Sequence, residues 1–142
     1  MRFSSVLRAA GVASVIAVQA VVAAPSWADA AVPAPSSLSI SGAQISAVDP
    51  TELDVDLTVT CPVGEQRSFF VTAGQFGSAM LPVWGWATTD VECTGAPQTV
   101  TAALTAEPMG LSAPTWQAGP VDVFAVLTGS PAAEAQAQIT LV

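Results

Sequence analysis

The chain of 142 residues contains no histidine, lysine, tyrosine or asparagine, and three arginines are its only cationic side chains. The missing residues supply most general bases, metal ligands, phosphate contacts and activated nucleophiles in proteins. No serine lies in a Gly-x-Ser-x-Gly elbow, and neither histidine nor lysine is present to activate one. Without asparagine there is no acceptor for an N-linked glycan. The composition therefore predicts a protein with no catalytic residues, no enzymatic activity and no cofactor.

Residues 1–30 have the features of a secretory signal peptide. Two arginines give a positively charged start, and the uncharged, Ala- and Val-rich residues 9–24 follow. This run is shorter than the roughly 20 residues that a membrane-spanning helix needs. Ala28 and Ala30 fit the small-x-small rule for cleavage, so we predict a cut after Ala30, with an uncleaved anchor as the alternative. We expect a secreted, extracellular protein with no membrane anchor after leader removal.

The predicted mature chain, residues 31–142, is acidic and has the length of one domain. It carries ten acidic residues against the single cation Arg67, a formal net charge of −9. Because nucleic acids and anionic membranes are bound chiefly through lysine and arginine, neither is an expected partner. We expect Arg67 to pair with a nearby acid such as Glu65 at an exposed site, where such a pair contributes little stability.

Cys61 and Cys93 are the only cysteines. An even number of cysteines in an exported chain favours a disulfide over free thiols. A zinc site is the alternative, but two thiols without any histidine make a poor one. The loop that the bridge would close corresponds to a stabilisation of about 3–4 kcal/mol on the chain-entropy model.

After a predicted flexible tail at residues 31–36, apolar residues alternate with polar ones almost throughout the chain. The clearest run is Glu52 to Cys61, in which every second residue from Leu53 onwards is apolar. Strict alternation indicates a strand with one buried and one solvated face. The apolar positions of the other predicted strands are Leu38 and Ile40; Phe69, Val71 and Ala73; Val91 and Cys93; Val100, Ala102 and Leu104; Val121, Val123, Ala125 and Leu127; and Ala135, Ala137, Ile139 and Leu141.

About seven short strands between glycine and proline turns predict an all-β, Ig-like antiparallel β-sandwich over residues 37–142. A small β-barrel is the alternative, because the number of strands does not exclude closure. The sequence alone leaves open whether the disulfide crosses between sheets or ties strands within one.

Several turn and cysteine motifs between Leu53 and Val142 resemble a known group of proteins. They are Cys61-Pro62-x-Gly64, Gln75, Cys93-Thr94-Gly95-x-x-Gln98 and Trp116-x-x-Gly119-Pro120. The chain resembles the small secreted Ig-like actinobacterial proteins of unassigned function, a resemblance that implies a fold and no activity. It is more distantly similar to the enediyne-carrier apoproteins, which are also secreted, acidic and Ig-like. Those carriers have two disulfides, whereas this chain has cysteines for one.

Glu52, Asp54 and Asp56 form the densest cluster of charge. Alternate residues on a strand lie about 6.5–7 Å apart, a spacing that overlaps the carboxyl separations of glycosidases. Besides glycoside hydrolysis, calcium binding is a second possibility for this cluster, with Asp49 as a further ligand. Calcium needs six or more oxygens, however, and a flat strand does not wrap an ion. Acids on an open strand face are well solvated. We therefore interpret the cluster as a solvated face that maintains solubility, and predict no metal site.

The segment 76–86 is the most suggestive part of the chain for binding, because it interrupts the alternation and is rich in aromatics. Our candidate binding residues are Phe76, Met80, Trp84 and Trp86. Aromatic residues and methionine are enriched at interfaces, and Trp84 and Trp86 share a strand face. The alternative is that one or both indoles cover the core beside the disulfide, as in many Ig domains. We expect Trp116 to plug the end of the sandwich.

Two functional hypotheses follow. The first is a secreted, non-catalytic domain that binds an unknown protein partner through the surface of segment 76–86. The second is a carrier of a small apolar ligand, with a cleft between the sheets lined by Phe70, Trp86 or Phe124.

Overall fold

The structure is a computed structural model that describes residues 35–77, 81–108, 110 and 113–142. The predicted leader, the cleavage site and the candidate residue Met80 lie outside the described residues. Within them the chain forms seven strands and no helix: β1 (Ser37–Ile45), β2 (Glu52–Thr60), β3 (Gln66–Gln75), β4 (Val83–Glu92), β5 (Gln98–Ala106), β6 (Gly119–Leu127) and β7 (Ala133–Leu141).

All seven strands belong to one antiparallel sheet with the order β1-β2-β5-β4-β3-β6-β7. The two end strands, β1 and β7, approach each other, so the sheet is nearly closed like a barrel. The weakest junction joins β4 to β5 through two residue pairs, Gly85 with Ala106 and Trp86 with Thr105. The predicted all-β fold with seven antiparallel strands is confirmed. The strands form one sheet that is nearly barrel-like, an arrangement intermediate between the predicted sandwich and the barrel alternative.

The alternation of the sequence determines which side chains fill the interior. Every apolar residue of β2 from Leu53 to Val59 is fully buried, while the polar residues between them face outwards. Strands β3 and β6 follow the same rule, and one cluster contains the buried apolar residues of all seven strands. Because burying a valine, leucine or phenylalanine stabilises a fold by about 1.5–3 kcal/mol each, this cluster is the main source of stability.

The predicted disulfide joins Cys61, which follows β2, to Cys93, which follows β4, with a Cα–Cα distance of 5.3 Å. Both cysteines are buried. The backbone pairs alongside the bridge, since the Cys93 N–H donates to Glu65 O at 2.8 Å and the Gly64 N–H donates to Cys93 O at 3.0 Å. Strand β5 lies between β2 and β4 in the sheet, so the bridge connects strands that are not hydrogen-bonded neighbours.

Arg67 pairs with Glu65 as predicted, but the expectation of an exposed site is wrong. The Arg67 side chain is only 4% exposed, and its Nη2 lies 2.6 Å from Glu65 Oε2. The guanidinium also donates to the Ser36 hydroxyl at 2.8 Å and to the carbonyls of Ser130 and Pro131 at 2.8 and 2.7 Å. Arg67 therefore ties the residue before β1 and the turn between β6 and β7 to strand β3.

Trp116 is buried, as predicted, against the start of β4. Its backbone N–H donates to Pro50 O at 3.0 Å and its indole Nε1 donates to Thr51 O at 3.2 Å. Gly85 makes this packing possible, because a Cβ there would lie 3.2 Å from the indole and 2.6 Å from Thr105 O. The absence of a side chain at Gly85 thus permits both the indole contact and the junction between β4 and β5.

Candidate binding surface

Five aromatic rings lie on the outside of the sheet formed by β4, β3 and β6. Trp84 and Trp86 are 43% and 48% exposed, Phe70 and Phe124 are 38% and 39% exposed, and Phe76 is 72% exposed. On each strand these residues alternate with the buried ones, so the four strand residues point away from the core. We call Phe70, Phe76, Trp84, Trp86 and Phe124 the outer aromatic face.

The strand register arranges this face in rows. Thr72 pairs with Trp86 on one side and with Phe124 on the other. Neighbouring strands lie about 4.8 Å apart, so the backbones that carry Trp86 and Phe124 are roughly 10 Å apart. A ring contact links neighbouring rows along the strands: the rings of Phe70 and Trp86 lie 6.1 Å apart, with an interplanar angle of 36°. This separation lies within the range of about 4.5–7 Å over which aromatic pairs interact.

The next row consists of Trp84, Gly74 and Asp122, and the ring of Phe76 covers its centre. A Cβ on Gly74 would lie 2.6 Å from Cε2 and 2.9 Å from Cζ of that ring. Only glycine therefore lets the Phe76 ring rest directly on the strand. The result is an open cleft of about 400 Å³, lined mainly by Thr72, Gly74, Phe76, Trp84, Asp122 and Phe124. This volume lies within the range of small-molecule sites.

Two side-chain amides make hydrogen bonds next to residues that line this cleft. The buried Gln75 precedes Phe76, and its Nε2 donates to Gln117 O at 2.7 Å. The Gln117 N–H donates back to Gln75 Oε1 at 3.0 Å, so the end of β3 is tied to the segment that leads into β6. On β7, Gln138 Nε2 donates to Oδ1 of the lining residue Asp122 at 3.0 Å and orients that carboxylate.

Three of the four predicted binding residues lie on this face, namely Phe76, Trp84 and Trp86, while Met80 lies outside the described residues. Trp84 and Trp86 share a face, as predicted. The alternative that the indoles cover the core beside the disulfide is wrong, because both are about half exposed and Cys93 follows the opposite end of β4.

The expectation that Phe70, Trp86 or Phe124 line a cleft between the sheets is also wrong. All three point outwards, because each alternates with a buried neighbour such as Phe69 or Val123. The sequence contained this signal, since Phe124 has the opposite parity to the apolar series that runs from Val121 to Leu127. The same parity places Asp122 and Gln138 outside, two residues that sequence reasoning missed.

The acidic cluster lies on β2, away from the outer aromatic face. Asp56 accepts a hydrogen bond from the Thr101 hydroxyl at 2.6 Å, and Asp54 lies opposite Gln44 and Ala103. Asp49 is occupied in a turn, where the N–H and hydroxyl of Thr51 donate to it and lower its pKa. Among the described residues, no three histidine, cysteine or acidic side chains are grouped so that they could hold a metal ion.

These features define a small, all-β, disulfide-bonded domain with an aromatic outer sheet face. The chain matches no protein-family model, and comparison with curated proteins finds no match either. In the part of the chain that the structure describes, no helix has the length and apolar character that crossing a membrane requires.

Proposed function

We propose that the protein is an exported, non-catalytic binding domain that acts through the outer aromatic face. The observation that carries this proposal is the concentration of exposed rings on one side of the sheet, five residues exposed by 38–72%. Aromatic side chains have about 150–250 Å² of surface each, so the five rings present roughly 500 Å² of apolar surface. Patches of this size on a soluble protein commonly mark interaction sites.

The contrast between the two outer surfaces supports this choice of face. The outer side of β2 and β5 carries Glu52, Asp54 and Asp56 among threonines, a surface that water solvates well. Aromatic residues concentrate binding energy at interfaces, whereas charged residues are depleted at their centres. The acidic surface then serves solubility, and the aromatic surface makes the contact.

Export is part of the proposal. The disulfide between Cys61 and Cys93 is typical of proteins that fold in an oxidising compartment. Residues 1–30 have the composition of a cleavable leader.

A second candidate function is the carriage of a small apolar ligand in the cleft over Gly74. The observation that favours it is the cleft of about 400 Å³ with ring walls on both sides. Mass spectrometry of the protein purified from its native medium under non-denaturing conditions tests it. A copurifying compound supports carriage, and repeated recovery of the bare protein counts against it.

The main proposal is tested by retention from the native medium and cell envelope on immobilised protein. The wild type is compared with Trp84→Ala/Trp86→Ala and with a matched control, Val48→Ala/Val63→Ala. The control removes two apolar side chains that are exposed by 95% and 74% in loops away from the face. We expect the control to retain the same component as the wild type and the tryptophan variant to lose it. Equal retention by all three proteins would refute the proposal.

A further inference from the structure

The charges around the outer aromatic face are all of one sign. Asp90, Glu92, Asp122 and Glu134 are exposed on the strands that form this side of the sheet. Arg67 is the only cationic side chain among the described residues, and it is buried with its donors bonded to Glu65, Ser36, Ser130 and Pro131. An anionic ligand would thus meet repulsion and no counter-charge on the described surface.

The cleft itself combines a carboxylate with aromatic walls. Trp84 and Asp122 stand on either side of Gly74, and the Phe76 ring covers the glycine between them. The face of an aromatic ring attracts a cation through its quadrupole, most strongly for tryptophan. A carboxylate beside such rings adds direct charge attraction, which water screens in part because Asp122 is exposed. Rings and a carboxylate around one small space are the groups that recognise an ammonium ion.

We propose that this cleft selects a small organic cation, an ammonium group that carries an apolar substituent. The ammonium lies beside Asp122 against the Phe76 ring, with Trp84 as the wall on the far side of that ring, and the apolar substituent packs over Thr72 towards Phe124. Within the described residues, Gln138 donates to Oδ1 of Asp122, which orients the carboxylate, and no hydrogen bond occupies Oδ2, the oxygen that would meet the ligand. This inference rests on the proposed function and adds the charge of the ligand to it.

Three probes with the same ring and different charge test the selection: naphthylmethyl-trimethylammonium, naphthylmethanol and naphthylacetate. Their dissociation constants are measured by isothermal titration calorimetry with the purified protein. We expect the cation to bind at least about fivefold more tightly than the neutral alcohol, the difference that an ammonium gains at an aromatic site. The anion should bind most weakly of the three.

Two single substitutions assign the effect to the cleft. Asp122→Asn removes the charge but keeps an oxygen for Gln138, and Glu134→Gln removes one charge from the same side of the sheet in a different row. Both residues are exposed, so both variants should fold. We expect Asp122→Asn to weaken cation binding about three- to tenfold and leave the alcohol within about twofold. Glu134→Gln should change neither by more than about twofold.

The outcomes separate this inference from the proposed function. Equal affinities for cation and alcohol, both lost in Trp84→Ala, would overturn the charge selection while the face remained a binding surface. Equal weakening by Asp122→Asn and Glu134→Gln would overturn the assignment to the cleft, because net charge alone would then explain it. Failure of all three probes to bind would also overturn the inference, and retention of a native component by the outer aromatic face would still decide the proposed function independently.

Discussion

The ring of Phe76 rests on the backbone of Gly74, so closely that a Cβ on Gly74 would lie 2.6 Å from the ring. This contact folds the residue that follows β3 back onto the strand itself and sets one wall of the cleft. It also accounts for a glycine within a strand, where glycine is otherwise unfavourable. The shape of the outer aromatic face depends on this pair.

Gly74→Ala should therefore displace the Phe76 ring without unfolding the domain. The ring is the end of a flexible side chain that can move outwards, so the free energy of unfolding should change by less than about 1 kcal/mol. Nuclear Overhauser contacts between the Phe76 ring and residue 74 should disappear. In a Phe76→Ala background the same glycine substitution should be neutral. Unchanged ring contacts in Gly74→Ala would show that the ring does not rest on the strand.

Arg67 should contribute far more stability than the ion pair with Glu65 alone would supply. Arg67→Ala removes donors to Ser36 and to the carbonyls of Ser130 and Pro131, and should cost about 2–4 kcal/mol in the free energy of unfolding. Glu65→Gln affects a residue that is 45% exposed and should cost less than about 1 kcal/mol. Urea unfolding measures both costs. Similar costs for the two variants would show that the hydrogen bonds of Arg67 to Ser36, Ser130 and Pro131 add little stability.

Gly85 should tolerate no side chain. A Cβ would lie 2.6 Å from the backbone oxygen of Thr105, which cannot move without opening the junction between β4 and β5. Gly85→Ala should cost about 1–3 kcal/mol in thermal or urea unfolding, the usual range for overpacking. Gly42→Ala is the matched strand control, since its Cβ would come no closer than 4.0 Å to Asp56 Oδ2. A loss in the control as large as that in Gly85→Ala would argue against the steric explanation.

Asp49 should titrate below its ordinary pKa, because the hydroxyl and N–H of Thr51 stabilise its charged form. A lowered pKa in the folded state means that this group stabilises the fold above its unfolded pKa. That contribution is lost as the pH falls through the lowered value. An NMR titration should show the shift, and Thr51→Val, which removes the hydroxyl but keeps the N–H, should reduce it. An Asp49 midpoint that is identical in both proteins would contradict the role of the hydroxyl.

The alternation of the sequence was sufficient to predict the strands and most of the interior. In β2 the series from Leu53 to Val59 predicted burial correctly, and the disulfide was predicted from two cysteines in a chain expected to carry a leader. The sequence could not predict which residues pair across neighbouring strands. The pairing of Thr72 with both Trp86 and Phe124, for example, depends on the order of strands that are distant in sequence. The burial of Arg67 was missed for the same reason, since its partners Ser130 and Pro131 lie more than sixty residues away.

The most direct test of the outer aromatic face is hydroxyl-radical footprinting of the three tryptophans in residues 31–142, with and without the component retained from the native medium. In the free protein Trp84 and Trp86 should be modified, while the buried Trp116 should be protected. The bound component should protect Trp84 and Trp86 and leave the modification of Trp116 unchanged. Unaltered modification of both indoles at saturation would contradict this expectation.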